Sequence, residues 1–211
     1  MMPVSPILLL VLIVLASSGF LAGPLRRLSL SERQGIALLG ALLLGSLVEL
    51  PLTPRLTLNL GTGLLPLCFA LYLARQMRRW WEPLAAVGGA ATGAAALALI
   101  SLYFPPGQPT ELNLYYLDAQ YLYAVVAGTL GYAIGHTRPA AFAAAVLGSL
   151  GADLYHYLRY VAADQPDLVF RMSGGGFHGT ALVAGILALT LVELMQGPAA
   201  DRPVSPDLPV S

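Results

Sequence analysis

Gly148-Ser-Leu-Gly-Ala-Asp153-Leu-Tyr-His156, followed by Ser173-Gly-Gly-Gly-Phe-His178-Gly179, places an acid well inside one apolar run and a glycine-rich entry before the next. An ionisable residue at membrane depth is costly and therefore marks a functional site. The two segments read as parts of successive membrane helices. Composition agrees: 57% of residues are hydrophobic, 10% are charged, and mean hydropathy is +0.72. Those values are too apolar for an ordinary soluble domain. The formal net charge is zero, which removes the electrostatic case for a nucleic-acid partner. Cys68 is the single cysteine, so neither an intrachain disulfide nor a cysteine zinc cluster can form.

Working outward, apolar stretches of roughly 20 residues, the length that crosses a bilayer, predict an all-α, polytopic transmembrane bundle of about seven spans. They fall at 6–21, 34–50, 58–74, 83–104, 114–135, 139–161 and 177–195, with a Pro- and Asp-rich cytoplasmic tail over 197–211 that reads as disordered. Arginine sets the orientation. Arg26, Arg27, Arg33, Arg75, Arg78, Arg79, Arg138 and Arg202 fall on one side and Arg55, Arg159 and Arg171 on the other. Eight against three predicts an inner-membrane protein with its N-terminus outside and its C-terminus in the cytoplasm. Gly89 with Gly93, and Gly131 with Gly135, have the spacing that lets helices pack closely; a homo-oligomer is left open.

The first half echoes the second. Leu44-Gly-Ser-Leu-Val-Glu49-Leu50 is similar to Leu147-Gly-Ser-Leu-Gly-Ala-Asp153-Leu154. Each is followed by an arginine-containing linker and a glycine-rich turn, Asn59-Leu-Gly61-Thr-Gly63 in one copy and Ser173-Gly174-Gly175-Gly176 in the other. The even number of intervening spans makes this a parallel repeat, of the kind that places transporter sites at the repeat interface. Helix rise puts Glu49 and Asp153 at a common depth in the outer leaflet, joined there by Asn59, Asp118, His156 and His178.

Three chemistries suit such a set. Transport or ion-coupled handling of a small solute leads: Asp153 and Glu49 would bind cations or relay protons, while Asn59, Gly61, Gly63 and Gly174 to Gly176 would offer backbone N–H groups. A membrane-embedded hydrolase is second, with catalytic Asp118, Asp153 and His178. Asp153, His156 and His178 would equally suit a divalent metal. A structural membrane partner, with the lipid bilayer as its main contact, is the remaining alternative.

Two family resemblances bear on these readings. Tyr115-Tyr-Leu-Asp118 and Leu150-Gly-Ala-Asp153 faintly resemble the paired motifs of presenilin-type aspartyl proteases, which would make the two acids a catalytic pair. Ala152 replaces that family's glycine, and no Pro-Ala-Leu motif follows. Across 58–195 the chain more closely resembles the prokaryotic membrane family called domain of unknown function 1614. The resemblance is carried by Asn59-Leu-Gly-Thr-Gly-Leu-Leu-Pro66, Gly151-Ala-Asp-Leu154 and Gly174-Gly-Gly-Phe-His178-Gly179, where His178 stands in place of the family's Asp. That resemblance implies a multi-pass membrane fold and no established reaction.

Overall fold

The structure, a computed structural model, describes residues 4–19, 22–104, 119–163, 169–173 and 179–196, and is mostly helical there. The elements are α1 (Val4–Ser17), α2 (Ala22–Arg27), α3 (Glu32–Gly45), β1 (Glu49–Thr53), β2 (Leu56–Asn59), a π-helical turn (Leu60–Leu64), α4 (Leu65–Ala74), α5 (Trp81–Tyr103), α6 (Ala119–Gly135), α7 (Arg138–Ala162), β3 (Phe170–Met172) and α8 (Thr180–Gln196).

Local chemistry sets several boundaries. Ser31 opens α3 with a reciprocal cap: its hydroxyl accepts from the Gln34 N–H at 3.3 Å, and the Gln34 side chain accepts from the Ser31 N–H at 2.8 Å. This satisfies two donors that a helix start otherwise leaves unpaired. Pro66 and Pro139 lie in the first turns of α4 and α7, where a missing N–H costs nothing. His136, directly after α6, adopts a left-handed conformation with φ of 56°, a common way to end a helix.

Helices α5 to α8 pack through small residues. Gly93 comes against Gly148, and a Cβ on Gly131 or Gly135 would lie 2.8 Å or 2.5 Å from the backbone of Ala141. The first turns of α7, from Ala140 to Val146, are buried. The large apolar side chains point the other way: Leu84, Val87, Leu99 and Leu102 of α5, Val125 of α6, Leu158 of α7 and Leu194 of α8 are exposed. Leu97, Phe142, Val146, Leu182 and Val192 are buried among the small residues, so large apolar side chains lie on both sides of these helices, and the exposed ones form an apolar outer surface.

Among the described residues, α5 is the one helix both long and apolar enough to cross a membrane. The expected spans at 83–104 and 139–161 coincide with α5 and α7. The expected spans at 34–50 and 58–74 are not continuous helices. α3 stops at Gly45, residues 49–59 form a hairpin, and α4 begins only at Leu65. A small sheet is therefore added to the all-helical expectation. Its strand order is β1-β2-β3, with β1 antiparallel and β3 parallel to the central β2.

The reason lies in a period-two pattern hidden by the apolar composition. Leu50, Leu52, Leu56 and Leu58 alternate with Pro, Thr and Thr, the spacing of a strand, and Pro54-Arg55 closes the turn between the paired Thr53 and Leu56. Where spans are expected at 6–21, 114–135 and 177–195, the described helices are α1, α6 and α8, of 14, 17 and 17 residues, each shorter than a full crossing, so the seven-span count is not reached among the described residues. The remaining residues of these spans at 20–21, 114–118 and 177–178, and the tail at 197–211, lie outside the described residues.

Candidate functional site

Among the described residues singled out from the sequence, Glu49, Asn59 and Asp153 lie where the sheet meets the helix ends. Asn59, the last residue of β2, is 1% exposed and organises the π-helical turn. Its side-chain oxygen accepts from the Gly61 N–H at 3.0 Å, the Thr62 N–H at 2.9 Å and the Thr62 hydroxyl at 2.9 Å. Its amide donates to the Ser46 carbonyl at 2.9 Å, just past the end of α3. A buried amide with this many partners fixes two helix ends relative to each other.

The second turn is tied to the first. The Asp153 carboxylate, four helical turns into α7, accepts from the Ser173 N–H at 2.7 Å. The Ser173 hydroxyl donates to the Thr62 carbonyl at 2.6 Å. One continuous chain of hydrogen bonds thus runs from α7 through Ser173, Thr62 and Asn59 to the end of α3. Ser173 is fully buried and has φ of +65°, a conformation that costs a residue with a Cβ about 1 kcal/mol or more unless its surroundings hold it. The two hydrogen bonds supply that hold.

Glycine is required here for close approach. A Cβ on Gly61 would lie 2.2 Å from both the Leu42 carbonyl and the Ser46 nitrogen. Gly63 faces Leu58 and the Cβ of Ser173, and Gly179 faces the side chain of Thr62. The N–H groups of Gly61 and Thr62 are taken by Asn59, which corrects the expected anion cradle at this turn. The expectation rested on glycine spacing, which does not register that the preceding Asn caps the same donors.

Glu49 also departs from its expected position. It stands on β1 opposite Asn59 rather than on a helix, and its carboxylate pairs with Arg171 of β3 at 3.5 Å, with the two side chains 32% and 62% exposed. The helical-depth argument that matched Glu49 to Asp153 therefore does not apply. β2 and β3 run parallel, and Asn59 and Ser173 follow the paired residues Leu58 and Met172. Each strand end leads into glycines and then a helix.

His156 lies one turn beyond Asp153, with its Nε2 buried and unpaired among the described residues. No group of three His, Cys, Asp or Glu that could hold a metal occurs among the described residues. His178, Asp118, Gly174, Gly175 and Gly176 lie outside them, and with them the hydrolase pairing of Asp118 with Asp153 and the third metal ligand.

Sequence reasoning missed Ser46, Thr62 and Ser173, which complete the network. The signal for Thr62 was present: Asn followed by Gly two positions later is the pattern of a side chain accepting from its own downstream backbone. At the far end of the bundle, Glu193 accepts from Arg27 and from Arg138, each at 2.5 Å, joining α2, α7 and α8. Compared with known proteins, the chain matches no family model, no curated protein and no solved structure.

Proposed function

We propose that the chain is an integral membrane protein that handles a small solute or ion at the sheet end of its helices, with Asp153 as the coupling carboxylate. The observation that carries this reading is Asp153 itself. It is an acid within a helix flanked by buried alanine, bonded to one backbone N–H at the threshold of the Gly174 to Gly176 segment. A carboxylate used only as a strut would be replaceable by any acceptor, whereas one that carries a cation or proton requires its charge. His156, one turn away, is a second polar group on the same helix face.

The membrane placement is supported by the exposed leucine and valine surface of α5 to α8 and by the length and apolarity of α5. Because Ala140 to Ala145 are buried, a route onward from Asp153 has to open by parting helices. The α3–β2–α4 unit and the α7–β3–α8 unit meet through the parallel strands and are the bodies that would move. The resemblance to domain of unknown function 1614 agrees with a membrane fold and adds no substrate.

The test uses purified protein in liposomes on a solid-supported membrane, challenged with amino acids, carboxylates, sugars and divalent cations. Wild type should give a solute-dependent current, and Asp153→Asn, which keeps an acceptor for Ser173, should remove at least about nine-tenths of it while melting like wild type. A current equal in the two proteins, or none in wild type with any solute, would sink the proposal.

A further inference from the structure

Two adjoining cavities of opposite character meet at the end of the molecule away from the sheet. One, of about 610 Å³, is lined by Arg27, Ser29, Arg75, Gln76, Arg78 and Arg138, with Pro139 at its edge. The other, of about 270 Å³, is an almost wholly apolar crevice between the α2–α3 region and α7–α8, walled by Leu25, Leu38, Leu42, Phe69, Phe142 and Ile186 among others. Glu193 lines the crevice, while its two partners Arg27 and Arg138 line the basin. The Arg27–Glu193–Arg138 bridge is therefore the partition between them.

Charge is unbalanced on the basin side. Four guanidinium groups line it, and Glu193 answers the two nearest the partition. Arg75 and Arg78 are exposed, and no ion pair joins either to a carboxylate among the described residues. Glu82, the acid closest in sequence, turns its carboxylate to the backbone N–H groups of Arg78 and Arg79 at 2.8 and 3.3 Å. A cationic basin opening beside a narrow apolar slot matches an amphiphile with an anionic head and a hydrocarbon chain.

We propose that this pair of cavities binds one anionic phospholipid from the surrounding bilayer, its phosphate in the arginine basin and one acyl chain in the crevice. The inference rests on the membrane placement proposed above and is independent of what Asp153 does. Arg75 and Arg78, at the end of α4 and in the turn to α5, supply the charge that discriminates the headgroup. The Glu193 bridge lies between the headgroup and the chain, at the junction of basin and crevice.

Native mass spectrometry of delipidated, detergent-purified protein tests this directly. Phosphatidylglycerol should bind with one-to-one stoichiometry, ahead of phosphatidylcholine of the same acyl chains. Arg75→Gln with Arg78→Gln should weaken phosphatidylglycerol roughly thirtyfold, from roughly fivefold per arginine. Arg26→Gln with Arg33→Gln removes two charges from residues that do not line the basin and should change binding less than about threefold. Leu39→Trp, which fills the crevice, should weaken both lipids. Equal binding of the two lipids, an equal effect of the two arginine pairs, or displacement by millimolar inorganic phosphate with no dependence on the crevice would each overturn the proposal. A failure of the membrane placement itself would appear earlier, as protein recovered without detergent.

Discussion

A methyl group at Gly61 has no space to occupy. Its Cβ would sit 2.2 Å from backbone atoms of Leu42 and Ser46, and backbone at a helix end cannot yield as a side-chain tip can. Gly61→Ala should therefore destabilise by about 3 kcal/mol, at the upper end of ordinary overpacking. At Gly63 the first obstacle is the flexible end of Leu58, so Gly63→Ala should cost about 1 kcal/mol. Thermal unfolding in detergent measures both, and equal losses would show that Gly61 does not pin α3 against the turn. The same scale explains why Ser173 and not glycine holds a left-handed position: its hydroxyl donates to the Thr62 carbonyl, a bond that glycine cannot make.

At the scale of elements, the central strand β2 connects everything at the sheet end, pairing with β1 on one side and β3 on the other. Thr57→Pro removes a ladder donor from a central strand, where proline is not tolerated, and should cost about 3 kcal/mol or more. Glu49→Gln, by contrast, loses only an exposed pair with Arg171 and should cost about 0.5 kcal/mol or less. Unfolding midpoints for the two variants check this ordering, and a Glu49→Gln loss matching that of Thr57→Pro would mean the ion pair, not the ladder, holds the sheet. Legibility in the sequence divides along the same line. α5 and α7 could be read because a long apolar run has few alternatives. The hairpin could not, because most of it falls in the short 51–57 connection between two expected spans, and only the two-residue period of its leucines marks that connection as strand. Asp153 and Asn59 stood out as polar residues in apolar surroundings. Their partners Ser173 and Thr62 are brought together by the parallel strands, which no local pattern announces. The Glu193 bridge left no local signal, because its two arginines come from helices far away in the chain.

For the molecule as a whole, the large apolar residues left outside the helices are what the proposed membrane placement rests on. Leu84, Val87, Leu99, Leu102 and Leu158 are exposed while Ala140, Ala141, Ala143 and Ala144 are buried. In water that surface would associate. The chain should remain in the membrane pellet after alkaline carbonate washing and be released only by detergent, and recovery in the carbonate supernatant would refute the membrane placement. The parallel pairing of β2 with β3 also has a consequence for synthesis. Thr62 and Ser173 are 111 residues apart, so at about 5–20 residues per second the ribosome needs roughly 6–22 s to deliver the second partner after the first. Throughout that interval one edge of β2 stands open and the Thr62 carbonyl lacks its donor. The first half of the molecule must therefore wait, unfinished and open to wrong strand partners, until nearly the last helix emerges. Assembly of the polar end is a late event in the life of the nascent chain, and a truncation before Phe170 would leave a template for aggregation rather than a smaller functional protein.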